Sequence, residues 1–243
     1  MSIKDKLDIF LITYNRKPYL QRTLDKILSD DSPIRDFDIT ILDNHSTDGT
    51  TELIQEYTKR FRNLRHIVHP FTIDGSANFV RAVELVKKDY CWVLCDDDHF
   101  HFENWKDVEI SVSQDFDIVC VANYAFYTPS QYNDPAWQLF QLAFVPAGIY
   151  KRSLVQNTIM AMARSIYTLF PQCYLTLFAI NNEKKIKVLT HPCVTVGLEP
   201  KDCSYSRAPH NIMYPRRSLD SDWLWGYSLI CYELNNKNLN IYI

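Results

Sequence analysis

The stretch from Tyr90 to Asp98 (YCWVLCDDD) constrains the possible fold of this chain more than any other segment does. A short apolar run that ends at once in polar residues is typical of a strand buried on both faces of a parallel sheet. The acids Asp96, Asp97 and Asp98 repel one another and resist desolvation, so a positive partner is expected beside them. A divalent cation with oxygen ligands is the natural candidate. A solvated acidic loop is the alternative interpretation of the triplet taken alone.

Upstream of the acids, strand-like and helix-like runs alternate three times. Strands are predicted at 7–13, 37–42 and 64–68, and helices from Pro18 onward, from about 50 to 60, and at 75–87. This alternation indicates a parallel sheet covered by helices on both faces. Ligands bind beyond the carboxyl ends of the strands in such sheets. We therefore expect one crevice where the polar segments 13–16, 43–48 and 96–98 converge.

Two of these segments also have simpler interpretations. Tyr14 and Asn15 are compatible with nothing more than a turn, and segment 43–48 with a helix cap. A cap needs only one Ser, Thr, Asn or Asp, and this cluster is longer than capping requires.

Composition narrows the class of protein. The chain has 243 residues, of which 47% are hydrophobic, enough for the core of one large domain or of one domain with an appended part. The net charge of −3 gives no basic excess, so no nucleic-acid partner is expected. The seven cysteines form no paired C-x-x-C motif, and Cys91 and Cys95 fit as small apolar residues of a strand. With no secretory leader recognisable and no apolar run of the roughly 18 to 20 residues that a membrane span needs, we expect a reducing cytoplasm.

Several motifs in order resemble the nucleotide-sugar-binding half of a family 2 glycosyltransferase with the GT-A fold. They are Thr13-Tyr14-Asn15-Arg16, Leu42 through Thr50 (LDNHSTDGT), Gly75 through Ala82 (GSANFVRA) and Tyr90 through Asp98. Asn44-His45 replaces part of the family's usual acid pair. The resemblance covers about residues 7 to 122 and is strongest to bacterial members that build O-antigen or capsule sugars, including abequosyltransferase-like enzymes.

The resemblance implies a role for each motif residue. Asp98 is the direct metal ligand, for Mn²⁺ or Mg²⁺, while Asp96 and Asp97 hold the ribose and the metal's water shell. Asp43 accepts a hydrogen bond from a base N–H, which favours uracil or thymine. Further donor-binding candidates are Thr13, Tyr14, Arg16, Asn78 and, less strongly, Arg81. Three of them also have simpler interpretations: Tyr14 as an ordinary interface tyrosine, Asn78 as a helix cap and Arg81 as a solvated side chain.

The catalytic base is not identified by the sequence. Inverting enzymes need a group that deprotonates the acceptor hydroxyl, and family members commonly supply it from a Glu-Asp pair at a helix start. Phe170-Pro171-Gln172 lies where that pair is expected, and Gln172 cannot act as a base. Either the base comes from elsewhere or the enzyme is retaining. Candidates by residue type alone are Asp134, His191, Glu199, Asp202 and His210.

The second half of the chain has weaker patterns. We expect strands at 143–150 and within 186–196, helices opening at 151–153 and after Gln172, and an aromatic cluster between 124 and 140 that serves either core packing or an acceptor groove. Late in the chain, His210 and Arg207 are candidates for the metal shell and the diphosphate. A final helix at about 218–235 is apolar nearly all round, which fits packing on the core, a homodimer contact or a peripheral membrane contact.

These observations predict an α/β protein with the GT-A fold and a C-terminal helical and loop extension. We divide it into a donor half (1–122), an acceptor half (123–215) and a C-terminal helix with tail (216–243). The expected activity is metal-dependent transfer of a sugar from a UDP- or dTDP-sugar to a glycan or lipid-linked glycan, in the cytoplasm or at the inner face of the membrane. A non-catalytic binding protein on the same fold is the alternative. A nucleotidyltransferase ranks last, because segment 13–16 lacks the glycines of a phosphate loop.

Overall fold

The computed structural model describes residues 2–122 and 132–197, together with Ser228 and Ile230. The first half alternates strands and helices: α1 (Ile3–Lys6), β1 (Leu7–Thr13), α2 (Lys17–Ile27), β2 (Ile39–Asp43), α3 (Thr50–Arg60), β3 (Leu64–Val68), α4 (Gly75–Glu84) and β4 (Tyr90–Cys95). The second half contains β5 (His99–Phe100), α5 (Trp105–Ser113), β6 (Ile118–Cys120), α6 (Pro135–Leu142), β7 (Gly148–Lys151), α7 (Arg152–Arg164), α8 (Cys173–Asn181), β8 (Ile186–Val188) and β9 (Val194–Thr195).

The central sheet has seven strands in the order β3-β2-β1-β4-β7-β6-β8. Strands β1 to β4 are parallel to one another, β7 runs antiparallel to both of its neighbours, and β8 is parallel to β6. Helices flank this sheet, so the expected α/β class with a mostly parallel sheet is confirmed. The carboxyl ends of the first four strands lie at one edge, as the sequence predicted.

Strand β4 lies at the centre of the core because nearly every residue in it is apolar. All of its residues except Cys95 are buried, and the indole of Trp92 is fully enclosed. That ring stacks on Trp105 of α5 with 5.9 Å between ring centroids, and its Nε1 donates to the carbonyl of Pro146 at 2.8 Å. Burial raises the pKa of the neighbouring Cys91 thiol well above its ordinary value, so the thiol stays neutral in the core. The acids that follow β4 therefore extend from a rigid strand.

Capping side chains and a proline define where several helices begin. Asp74 caps α4 by accepting from the backbone N–H of Ser76 at 2.7 Å, and Asp134 caps α6 in the same way through Ala136 at 2.8 Å. Pro18 lies in the first turn of α2, where a missing N–H has no cost. In the described part of the chain, no helix is long and apolar enough to span a bilayer.

Most element predictions for the first half are confirmed, and one in the second half is wrong. Strands β1 and β3 have the predicted bounds, β2 begins two residues later than predicted and α4 ends at Glu84. The segment 143–150, predicted as one strand, instead begins with Ala143, the C-cap of α6, continues through a 3₁₀ turn at Val145–Ala147 and enters strand β7 only at Gly148. Pro146 explains the difference, because proline has no N–H for a central strand ladder.

The predicted C-terminal helix lies almost wholly outside the described residues. Ser228 and Ile230 are helical there, and Ile230 is fully buried. Its side chain belongs to a second apolar cluster, with members from α6 and α8 and from the segment between them: Leu139, Ala143, Phe170, Cys173 and Leu177. At this residue the C-terminal part packs on the body of the protein.

Candidate active site

The carboxyl ends of β1, β2 and β4 converge through direct side-chain contacts. Thr13 and Asp43 lie opposite each other in the pairing of β1 with β2. The Thr13 hydroxyl donates to Asp96 Oδ2 at 2.6 Å, and the Thr23 hydroxyl donates to the Asp96 carbonyl at 2.8 Å. The predicted crevice edge is thus formed by residues that are far apart in the sequence.

Arg16 supplies the positive charge beside the acid triplet. Its guanidinium donates to Asp97 Oδ2 and lies 3.7 Å from Asp96 Oδ1. Arg22, one and a half turns further along α2, donates to the Asp97 carbonyl at 2.9 Å. Both guanidinium groups also lie over the ring of Tyr19. One end of α2 therefore offsets part of the charge that the acids accumulate.

Burial and mutual repulsion disturb the ionisation of two of the acids. Burial raises the pKa of Asp96 to about 7; the charge of Asp97 adds to the shift, while Arg16 and the Thr13 hydroxyl oppose it. Burial, and after it the charge of Asp97, raises the pKa of Asp98 well above its usual range. Such carboxylates ionise readily only when further positive charge is present.

Asp98 provides the acceptor that best fits a cation. Its Oδ1 accepts from the backbone N–H of Gly197 at 3.3 Å. Within the described residues, its buried Oδ2 has no hydrogen-bond partner. A buried carboxylate oxygen without a partner is costly, and a hard cation would satisfy it. No cluster of three or more His, Cys, Asp or Glu side chains is placed to hold a metal in the described ranges.

Gly197 brings a second segment against the acids. Strand β9 pairs antiparallel with β5, which directly follows the triplet. A Cβ on Gly197 would lie 1.8 Å from the Asp97 carbonyl oxygen, so this approach is open only to glycine. The chain therefore lies beside Asp98 at Gly197, shortly after β9. The metal-shell candidates His210 and Arg207 lie outside the described residues.

Asp43 lies in an environment that favours its ionised form, unlike Asp96 and Asp98. Its carboxylate is fully buried, accepts from the Ser46 backbone N–H at 2.9 Å and from the Thr51 hydroxyl, and lies 3.7 Å from His66 Nε2. Burial alone would raise the pKa of Asp43, but these neighbours outweigh it and lower the pKa to about 2. An ionised acceptor is therefore maintained at the end of β2.

Hydrogen bonds join the loop after β1 to the loop after β2. The backbone N–H of Asn15 donates to the Ser46 hydroxyl at 2.9 Å, and the Asn15 side chain accepts from the Thr47 N–H at 2.7 Å. Asn15 adopts a left-handed backbone, with φ of 50°. Tyr14 is half-buried between Thr13 and this turn. The predicted turn is present, and it holds Tyr14 at the crevice edge.

Asn78 and Arg81 lie on α4, behind the loops. Asn78 is buried, and its Oδ1 accepts from His69 Nε2 at 2.8 Å. The capping role that was the alternative for Asn78 belongs to Asp74. Arg81 pairs with Glu84 on the protein surface. In this structure Asn78 therefore supports the loop after β3.

The residues considered for the catalytic base are spread over several elements. Asp134 is the cap of α6, and His191 is exposed between β8 and β9. Gln172 is buried at the start of α8, with Nε2 donating to the Ala143 carbonyl. Within the described part, Gln172 Oε1 has no hydrogen-bond partner. Glu199, Asp202 and His210 lie outside the described residues.

Only part of the expected aromatic cluster lies within the described residues. Tyr132 and Trp137 pack with 5.1 Å between ring centroids, and Trp137 is buried. Phe140 is 41% exposed on α6. Tyr124, Phe126 and Tyr127 lie outside the described residues. Where it is described, the cluster combines core packing with one exposed ring.

Sequence reasoning missed several residues that organise this site. Thr23, His66, His69 and Gly197 contact the candidate residues across sequence gaps of up to 99 positions. Their residue types have no pattern of their own, because their roles arise only when strands and loops meet. Asn44, noted only as a departure from the family motif, binds Ile73 through both amide atoms.

Comparison with solved structures defines the fold class. The crystal structure of S. aureus TarS 1-349 in complex with UDP-GlcNAc matches with a TM-score of 0.67 at 17% identity, covering 98% of this chain and 68% of that one. The mannosyltransferase PcManGT from Pyrobaculum calidifontis, in complex with GDP-Man and Mn²⁺, matches with a TM-score of 0.55 at 12% identity, covering 81% of this chain and 58% of that one. The fold is that of the GT-A glycosyltransferases.

Sequence comparison then assigns the family. The profile of "Glycosyl transferase family 2" matches residues 8–172, so the chain belongs to that family. Abequosyltransferase RfbV of Salmonella typhimurium is 36% identical over 87 residues, which cover 35% of this chain and 26% of that protein. The chain spans less than half the length of the curated relatives that it matches.

Proposed function

We propose that this protein is a metal-dependent glycosyltransferase that moves a sugar from a UDP- or dTDP-sugar to a hydroxyl of a bacterial surface glycan. The observation that carries the proposal is the buried Oδ2 of Asp98, which has no hydrogen-bond partner among the residues that the structure describes, in an acid cluster at the strand ends. The donor half would comprise residues 1–122, the acceptor half 123–215 and the C-terminal helix and tail 216–243.

In this proposal the acids receive the diphosphate end of the donor. Asp98 holds Mn²⁺ or Mg²⁺, and Asp96 and Asp97 bind the ribose and the water shell. The cation would stabilise the negative charge that develops on the leaving diphosphate. Arg16, which binds Asp97 in this structure, would turn to the diphosphate once a cation neutralises the acids.

The base end would lie over β1 and β2. Asp43 is ionised at neutral pH, and its oxygens keep lone pairs beyond those used by Ser46 and Thr51. It would accept the N3–H that uracil and thymine carry and that cytosine lacks. Thr13 would contact the base through its backbone and Tyr14 through its ring. Asn78 would contribute to the donor site through His69.

The relatives support the nature of the donor and the acceptor. TarS was crystallised with UDP and with UDP-GlcNAc, and its curated name is poly(ribitol-phosphate) beta-N-acetylglucosaminyltransferase. The solved structure of PcManGT is a complex with GDP-Man and Mn²⁺, which supports the metal. On this basis we propose a glycan or lipid-linked glycan acceptor at the cytoplasmic face of the membrane. The C-terminal helix would supply a membrane or homodimer contact.

A non-catalytic nucleotide-sugar-binding protein is the second candidate. Gln172, which cannot accept a proton, occupies the start of α8 where the family resemblance places the base. A retaining enzyme would need no such base. Release of UDP from UDP-sugars in the presence of acceptor glycans separates the two candidates, because a binding protein retains its ligand intact.

Isothermal titration calorimetry with UDP, dTDP, GDP and CDP, with and without Mn²⁺, tests the proposal. We expect metal-dependent binding of UDP or dTDP that is lost in Asp98→Ala and kept in Glu109→Ala, an exposed acid on α5. Preference for GDP would overturn the role of Asp43. Absence of nucleotide binding with Mn²⁺, and with Mg²⁺ in a repeat of the titration, would overturn the transferase proposal itself.

A further inference from the structure

The loop that follows β3 is anchored at its far end by one amide side chain. Asn44 Nδ2 donates to the Ile73 carbonyl at 2.7 Å, and the Ile73 N–H donates to Asn44 Oδ1 at 2.8 Å. Asn44 is buried, so water does not compete for this pair of bonds. A carboxylate of the same shape could accept but could not donate. We call this pair of bonds the Asn44 clamp.

The near end of the loop is anchored through His69. The backbone N–H of His69 donates to the Asp43 carbonyl at 2.9 Å, and His45 Nδ1 donates to the His69 carbonyl at 3.1 Å. The His69 ring is tied to Asn78. Residues 69 and 73 are therefore both held by the segment that follows β2.

Phe71 lies midway between these two anchors, and its side chain is 65% exposed. It is two positions from each anchor along the chain, so its Cα lies within about 7 Å of the Cα atoms of both. An aromatic ring in such a position loses little conformational freedom when a ligand covers it. The loop thus presents an apolar surface from a rigid backbone.

Strand order places Phe71 at the end of the crevice that lies away from the acids. Thr13, Asp43 and Val68 lie abreast on β1, β2 and β3. The acids follow β4, on the other side of β1. With strands about 4.8 Å apart, β3 lies about 14 Å from β4. A donor with its diphosphate at the acids would extend its base toward β2 and β3.

We propose that Phe71 is a nucleobase-contacting residue that covers the base from the β3 side, and that Asn44 is the residue that positions it. This inference rests on the proposed nucleotide-sugar donor. Tyr14 would approach the same base from the β1 side, so that the base lies above Asp43 between two aromatic side chains. Stacking of a base on an aromatic ring is tolerant of base identity, so Asp43 would select the base and Phe71 would add affinity.

The first test measures which part of the nucleotide depends on Phe71. In the presence of Mn²⁺, we expect Phe71→Ala to weaken UDP and UMP binding about tenfold or more, and Phe71→Tyr to keep most of the affinity. Binding of inorganic pyrophosphate should be unchanged, because it has no base. Met160→Ala on α7 is the matched control, since Met160 is also 65% exposed.

The second test separates positioning from general stability. Asn44→Asp removes the donor of the Asn44 clamp, and we expect it to weaken UDP binding in the protein with Phe71. In the Phe71→Ala background the same change should have little further effect, because the ring that it positions is gone. A purely structural role of Asn44 would weaken binding equally in both backgrounds, and that result would overturn its positioning role.

Failure of this inference is distinguishable from failure of the proposed function. Wild-type protein that binds UDP with Mn²⁺ while Phe71→Ala binds it equally well would overturn the role of Phe71 alone. If Phe71→Ala weakens the binding of a UDP-sugar but not the binding of UMP, that result would also overturn the role of Phe71, because the ring would then contact the sugar and not the base. Wild-type protein that binds no nucleotide would overturn both.

Discussion

Asp43 and Asp96 are both buried carboxylates at strand ends, yet their pKa values move in opposite directions. Asp43 accepts hydrogen bonds from Ser46 and Thr51 and lies near His66, and these outweigh its burial. Asp96 has fewer donors and two acids beside it, so burial and repulsion prevail. The balance of donors and like charges therefore decides which carboxylate is a stable acceptor and which needs a cation.

The lowered pKa of Asp43 predicts acid sensitivity of the fold. Its pKa falls from an unfolded value of 3.8 to about 2, so its contribution to stability is present above pH 4 and is lost as the pH falls toward 2. The shift corresponds to about 2 kcal/mol of unfolding free energy. Urea unfolding between pH 2 and 7 should show this loss in the wild type.

Asp43→Asn is the variant that tests the assignment. Its unfolding free energy should be lower than that of the wild type at pH 7. It should also lose less of that free energy on acidification, because the contribution of Asp43 is already absent. The curves of unfolding free energy against pH should therefore approach each other near pH 2. Asp31→Asn, at an exposed acid in the segment before β2, should follow the wild type. Parallel curves for the wild type and Asp43→Asn would contradict the assignment.

At the scale of elements, the short sheet of β5 and β9 positions the acid loop. The His101 N–H donates to the Cys193 carbonyl at 2.8 Å, and the Cys193 N–H donates to the Val121 carbonyl at 2.7 Å. Two strands of only two residues each are thereby connected to the end of β6. This connection brings Gly197 to the Asp97 carbonyl and holds Asp98 in place.

Gly197→Ala should disturb this connection. Its Cβ would overlap the Asp97 carbonyl, and relief requires a shift of β9 or of the acid loop, at about 1–3 kcal/mol. We expect a lower melting temperature and weaker Mn²⁺-dependent UDP binding, measured by thermal unfolding and calorimetry. Gly75→Ala is the matched control, because a Cβ there meets nothing within 4 Å. Equal behaviour of the two variants would contradict the close approach.

At the scale of the whole molecule, two apolar clusters formed by the described residues hold the chain together. The larger surrounds the central sheet, and the smaller joins α6 and α8 to Ile230. Ile230 lies 33 residues after Gly197, so this contact connects a late part of the chain to α6 and α8. Packing at Ile230 stabilises the same helices that carry Trp137 and Gln172.

Ile230→Ala should therefore lower the stability of the protein as a whole. Loss of a fully buried isoleucine from such a cluster costs about 2–4 kcal/mol. Urea unfolding followed by circular dichroism measures the difference, with exposed Met160→Ala as the control. A stability loss no greater than that of the control would show that the Ile230 contact contributes nothing.

Strong local patterns allowed the strands in the first half of the chain to be predicted closely. Leu7–Thr13, Leu64–Val68 and the strand before the acids combine apolar runs with polar endings, and each forms the predicted strand. The second half has interrupted patterns. Strand β6 has only three residues, so its local signal is too short to separate from a loop. The short strands β8 and β9 do lie within the predicted segment 186–196. Pro146 shortened a run that looked like one long strand.

The sequence by itself determined the class of fold and the residue types at each strand end, because side-chain period, apolar length and capping chemistry act between near neighbours. Only the tertiary structure decided which of those side chains pair. It set Thr13 against Asp96, Arg16 against Asp97, Gly197 beside Asp98 and Asn44 on the loop of Phe71. Those contacts depend on strand order and register, which arise from packing of the whole chain. No single segment of the sequence has a pattern that predicts them.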